Sequence, residues 1–170
     1  MKVLATCWSP DLTIRASDWQ LIVLRTSALL NAPYEWDVNE PAARVLECFS
    51  EAQFTALKDA TAPLSEALFN RRQRLLARYV EEFNSTQSRA SEATMRETIA
   101  LFGEQGTTEI AYVAGVYGFL ARFMSSARID LDPPIEGLAE FLKKVNAGSI
   151  ERERKYREEE KKEEVGKGSA

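Results

Sequence analysis

The chain of 170 residues contains no histidine and only two cysteines, Cys7 and Cys48. The first absence removes imidazole from every mechanism: no Ser-His-Asp triad can be assembled, and general-base catalysis must fall to carboxylates, tyrosines or lysines. The second removes paired-thiol chemistry, because the two cysteines lie 41 positions apart and form no Cys-x-x-Cys. Zinc sites lean on Cys and His, so these side chains predict no metal and no redox cofactor. No run of about 18 apolar residues is present, so no membrane span is expected. The opening stretch, Met1 to Cys7, is too short in its apolar part for a secretory signal, which makes a cytoplasmic protein the expectation. The net charge of −4 lacks the cationic excess that nucleic acid attracts.

What is present is ordinary globular material: 45% hydrophobic and 28% charged residues, in a length that fits one domain with a real core. The apolar pattern is helical and no alternating pattern persists, so the fold class is all-α, a bundle of about six to seven helices. Asp18 to Leu30 carries Trp19, Leu21, Ile22, Leu24, Ala28 and Leu29 at helical spacing, with Ser17 as the expected N-cap. Pro33 restarts the chain as a second helix running toward Cys48 and kinked near Pro41. Glu51 to Asp59 is a short helix, and a long amphipathic one runs from Ser65 through Leu75, Leu76, Tyr79 and Val80 to Phe83. A helix from Ser91 ends at Gly103. Thr107 or Thr108 caps a markedly apolar one through Ala127, and Ile135 to Val145 forms the last of the body.

Residues 150–170 differ. Seven Lys/Arg and seven Asp/Glu crowd there with little apolar content, which predicts a solvated helix with Glu–Lys pairing, or disorder. The division expected is a helical domain over 1–149 and a charged tail over 150–170. The tail is self-neutral, so it is a poor lure for nucleic acid or membrane.

The most informative segment is Leu24-Arg25-Thr26-Ser27-Ala28-Leu29-Leu30-Asn31-Ala32-Pro33-Tyr34-Glu35-Trp36-Asp37-Val38-Asn39-Glu40-Pro41. Glu35 and Asn39, four apart, share a helix face. Glu35 stands in the opening turn between two aromatics, where burial raises a carboxyl's pKa and the helix N-terminus lowers it. A carboxyl held between those effects suits proton transfer; the alternative is a glutamate that merely complements the helix dipole. Asn39 can orient a carbonyl or stabilise an oxyanion but cannot move protons near neutrality. Asp37 and Glu40 are the nearest further carboxylates, with solvated helix positions as their alternative. Arg25, a cation on an apolar helix, needs a partner when buried, with Glu35 and Glu109 as candidates, or it can hold a substrate carboxylate. Tyr112 and Tyr117 are core residues or oxyanion donors, and Tyr34 and Trp36 would wall a ring-shaped ligand.

This segment is similar to the signature of the carboxymuconolactone decarboxylase / alkylhydroperoxidase-D-like family. There an apolar Leu-Arg helix runs into a Cys-x-Tyr-Glu-Trp or Cys-x-x-Cys turn, followed by a histidine pair and often a proline. Leu24-Arg25, Tyr34-Glu35-Trp36 and Pro41 fit; the histidine positions read Val38 and Asn39 and the first cysteine position reads Ala32. Phe102-Gly103-Glu104-Gln105, Glu109, Gly115, Tyr117, Leu120-Ala121-Arg122-Phe123 and Leu131-Asp132-Pro133 resemble its second half, so the likeness spans roughly residues 9–134. It implies helices packed around a small cavity in trimers or hexamers. It also implies lactone-acid decarboxylation or isomerisation, or peroxide reduction by paired thiols, which fails here for want of the pair. The expectation is a cofactor-free, non-redox lyase or isomerase for a small cyclic carboxylic acid, lactone or polyketide-like metabolite, possible in a biosynthetic pathway. Glu35 and Asn39 would be catalytic, with Arg25, Tyr34, Trp36, Asp37, Glu40, Glu109, Tyr112 and Tyr117 around the substrate. The alternative is a non-catalytic ligand-binding or assembly protein with a degenerate site.

Overall fold

The computed structural model describes residues 12–167; the expectation placed on Met1 to Cys7 lies outside them. Among the described residues every regular element is helical and no strand occurs. In chain order these are α1 (Ala16–Leu29), α2 (Pro33–Val45), α3 (Glu51–Lys58), α4 (Arg71–Phe83), α5 (Glu92–Ala127), α6 (Leu138–Val145) and α7 (Ala147–Lys167). The fold is all-α.

Helix α1 is the centre of the bundle and packs on α2, α3, α4 and α5. Every residue from Asp18 to Ser27 is buried, where the sequence pattern predicted one apolar face. A helix that is apolar most of the way round is enclosed most of the way round. Its start also differs from expectation. The N-cap is Arg15, not Ser17, because the Asp18 carboxylate accepts the Arg15 backbone N–H at 3.0 Å. A carboxylate three residues into a helix can satisfy an orphan donor as well as a capping hydroxyl can.

Pro33 occupies the first turn of α2, and Pro41 sits inside it without ending it. The inward stripe of this segment is Ala32, Glu35, Trp36, Asn39, Ala42, Ala43 and Leu46, at the three- and four-residue spacing of a buried face. Two of its seven positions are polar, and those two define the candidate site.

Helix α4 begins at Arg71, six residues after the expected start, because Asn70 and Gln73 form a reciprocal capping box. The break expected at Gly103 is present: its φ of 72° and ψ of 175° are non-helical, and α5 consists of two helical stretches joined at this kink. Thr107 and Thr108 are not caps; each hydroxyl donates to the carbonyl four residues back, Gly103 at 2.7 Å and Glu104 at 2.9 Å. The apolar second half of α5 would suffice in length and composition to cross a membrane. Ile110, Val113, Ala114, Tyr117 and Ala121 are instead buried in the core. Helix α6 starts at Leu138 behind Gly137, whose φ of 73° ends the preceding loop.

The charged tail is helical and starts at Ala147, ahead of Ile150. The expected Glu–Lys pairing is present at Glu151–Lys155, 3.7 Å. The tail is also docked: Arg154 and Arg157 reach Glu47 just beyond α2, and Arg15 pairs with Glu160 while its guanidinium lies 4.3 Å from the centre of the Tyr156 ring.

Candidate functional site: a buried carboxyl on the second helix

The site is local in origin. Pro33 sets the first turn of α2, Glu35 follows in that turn, and Asn39 lies one turn further along the inward face. Glu35 is 3% exposed. It makes no ion pair among the described residues; its described partner is the Asn39 amide, which donates to the Glu35 backbone carbonyl at 2.8 Å and to Oε2 at 3.2 Å. Burial therefore acts almost unopposed and pushes the carboxyl pKa up to about 7, with the Asn39 hydrogen bond pulling weakly the other way. A carboxyl poised there can both give and take a proton at neutral pH.

Both amide hydrogens of Asn39 are engaged by Glu35. Asn39 thus orients Glu35 in this state, and donation to a substrate oxyanion requires exchange of the 3.2 Å bond for one to the substrate. Trp36 is buried beside Glu35, and its indole N–H donates to Glu40 at 2.5 Å. Glu40 also receives Arg44 at 2.7 Å, so its carboxylate is committed to the surface of α2. Tyr34 donates its hydroxyl to Asp132 at 2.8 Å, tying the start of α2 to the loop after α5; this hydrogen bond, with burial and the Asp132 and Glu35 charges, raises the phenol pKa. Asp37 is exposed on the opposite face.

Arg25 is corrected in its partner. It pairs with neither Glu35 nor Glu109 but with Glu81 of α4, at 2.6 Å. Its other donors reach the carbonyls of Leu57 (3.3 Å), Asp59 (2.6 Å) and Ala62 (2.8 Å), with Nε also on Glu81 at 3.0 Å. A guanidinium has five N–H groups and all five are used here, at a residue 1% exposed. None is left for a substrate carboxylate. Arg25 ties the α3–α4 connection and α4 to the central helix.

Glu109 also has a structural task. Its carboxylate accepts from Thr13 N–H (2.8 Å), Thr13 hydroxyl (2.7 Å), Ile14 N–H (3.0 Å) and Gln105 (2.9 Å), clasping the backbone that enters α1. Burial opposes the charge, but the hydrogen bonds outweigh it and hold the pKa below the usual value. Tyr117 is buried with its ring edge-on to Trp19, centroids 5.5 Å apart at 84°. Tyr112, on the same helix, is exposed. The structure thus brings Glu35 and Asn39 together, flanks them with Tyr34 and Trp36, and sends Arg25, Glu109 and Asp37 elsewhere.

Gln20 is a buried polar residue that the sequence reading passed over. It is 0% exposed on α1, and neither end of its amide has a hydrogen-bond partner among the described residues. A lone amide inside Trp19-Gln20-Leu21-Ile22-Val23-Leu24 is the signal that marks it. Among the described residues no group of three His, Cys, Asp or Glu side chains is arranged to hold a metal ion. Compared with models of known families, with curated proteins and with solved structures, the chain matches none.

Proposed function

We propose that the protein is a cofactor-free lyase or isomerase that moves a proton on a small cyclic carboxylic acid, lactone or polyketide-like metabolite, on a helical scaffold of the carboxymuconolactone decarboxylase-like kind. The observation that carries this is Glu35: buried, without an ion pair among the described residues, and carrying a pKa of about 7. A buried carboxyl without a cation destabilises the fold when it ionises, and such groups concentrate at functional sites. Glu35 is the acid/base, and Asn39 sets its orientation and offers an amide to developing negative charge once substrate competes for it. With Arg25 fully occupied, an acidic substrate group must be held by donors other than that guanidinium.

We further propose a cytoplasmic homo-oligomer, a trimer or hexamer as the family resemblance implies. The support is apolar surface on α5 and beyond it: Phe119 is 64% exposed and stacks on exposed Phe123 with centroids 5.9 Å apart, and Leu131, Ile135, Phe141 and Val145 are exposed as well. Exposed large apolar side chains in this number favour an association face.

A second reading has its own support. Trp36 and Tyr117 are both buried in the interior, which favours a ligand-binding or assembly protein whose site is closed to chemistry. The test is turnover of a panel of cyclic carboxylic acids and lactones, followed by ultraviolet absorbance and by released carbon dioxide. Turnover by the wild-type protein that collapses in Glu35→Gln supports the enzyme. Equal conversion by both proteins removes Glu35 from the chemistry, and binding without turnover supports the second reading.

A further inference from the structure

Helix α7 is attached to the body almost without apolar burial. Among its described side chains only Glu153 is buried, and Ser149, Ile150, Tyr156, Arg157 and Glu160 are partly so. Its outer contacts are ionic: Arg15 with Glu160, and Glu47 with Arg154 (3.3 Å) and Arg157 (3.0 Å). Arg157 also donates to the Glu47 carbonyl. These contacts straddle the start of α1 and the end of α2, the helix that carries the candidate site. The middle is different. Glu153 is 4% exposed and has no cation within ion-pair distance among the described residues; its carboxylate accepts the backbone N–H of Ser17, in the first turn of α1, at 3.1 Å.

Beneath it lies a cavity of about 40 Å³. The titratable and charged groups facing Glu153 there are Arg15 and Asp18 from α1, Cys48 from the segment after α2, Arg72 from α4, and Tyr156, Arg157 and Glu160 from α7 itself. Arg72 is taken by Asp18 through a 2.5 Å ion pair, Arg157 by Glu47 and Arg15 by Glu160. Every cation in the cavity is thus committed to another carboxylate, and Asp18 adds like charge beside Glu153.

We propose that α7 is a strap held at its flanks by ion pairs and loosened at its middle by the buried Glu153 carboxylate, so that it docks more firmly when Glu153 takes up a proton. Burial raises the Glu153 pKa, with the Ser17 hydrogen bonds and the Arg15 charge working against the rise and the Asp18 charge adding to it. A group whose pKa is raised by docking favours the docked state below its free value, and that advantage is lost as pH rises through the raised one. The strap therefore tightens on mild acidification and relaxes toward alkaline pH, uncovering the cavity and Cys48. An undocked helix of this length with exposed Glu–Lys pairs is marginal in water, so its amides lose protection when it lifts.

The test is hydrogen–deuterium exchange of the α7 amides in the full chain, corrected for intrinsic rates, together with peptide-resolved alkylation of Cys48. In the wild type, protection of residues 150–160 rises severalfold as pH falls from alkaline toward the ordinary glutamate range, because the raised carboxyl takes up its proton on the way down. At the upper pH, Glu153→Gln exchanges severalfold more slowly than wild type and shields Cys48 better, and the difference closes on acidification. Glu47→Gln exchanges faster, because the flanking pairs lose their anion. A wild-type tail whose protection is flat or falls on acidification overturns the proposal. So does a Glu153→Gln tail that exchanges as fast as wild type or faster, since the carboxylate would then be an anchor. Unchanged exchange in Glu47→Gln overturns it as well.

Discussion

Asn39 holds Glu35 through both hydrogens of one amide, at 2.8 Å to the backbone carbonyl and 3.2 Å to the carboxylate. That bond is the described interaction favouring the charged form of a carboxyl that burial pushes toward neutrality. Asn39→Ala should therefore move the Glu35 pKa further up from about 7. Carboxyl-resolved NMR titration of the two proteins checks this, and a pKa that falls would contradict the assignment of the bond.

Glu35 also makes stability depend on pH. Its folded pKa of about 7 lies above the ordinary 4.5, so its contribution is complete below the ordinary value and is lost as pH rises through the folded one. The loss between mildly acidic and mildly alkaline solution should be on the order of 2 kcal/mol, allowing for partial solvation. Glu35→Gln should flatten this dependence and be the more stable protein at alkaline pH. Denaturant unfolding across the range measures it. If Glu35 is the acid/base, the same substitution lowers turnover by about 100- to 10,000-fold with the fold intact.

Arg25→Met should be among the costlier single changes in the chain. It strips Glu81 of its cation and three carbonyls of their donor in one step. Breaking a buried pair from one side costs about 3–5 kcal/mol. Arg25→Lys should recover only part of this, because an ammonium has three donors where the guanidinium had five. Urea midpoints of the two variants give the comparison.

Gly103→Ala isolates a backbone effect. Beyond the local backbone no described atom lies within 4 Å of the added Cβ, so no packing clash arises. The φ of 72° with ψ of 175° is a conformation that side-chain-bearing residues rarely adopt, and the cost should be about 1–3 kcal/mol. Thermal unfolding measures this, and an unchanged midpoint would mean the kink straightens without loss.

Replacing Phe119 and Phe123 with serine should abolish self-association while leaving the helical circular-dichroism signal in place, since both rings are exposed. Sedimentation velocity at micromolar concentration decides it; a wild-type protein that sediments as a monomer removes the oligomer from the proposed function.

The helices and the Glu35–Asn39 pair were legible in the sequence because both are local: periodicity marks a buried face, and residues four apart on a helix meet. The all-α class followed from the same pattern. Helix starts were less legible where the capping group was not the expected hydroxyl: Asp18 supplies an acceptor for α1 from inside the helix, while Glu109 and Glu153 reach its entry from 95 and 136 positions away. Arg25 announced that it needed a partner, but Glu81 lies 56 residues on and nothing in a linear pattern selects it over Glu109. The tail's charge predicted a wet helix; that it docks depends on Arg15 and Glu47 standing where α1 begins and α2 ends. Composition alone determined one thing this protein cannot use: with no histidine in the chain, no rearrangement supplies an imidazole. Which carboxylate becomes an acid near neutrality was decided by the tertiary structure, because a pKa is set by the water and charges that packing removes or retains around the group.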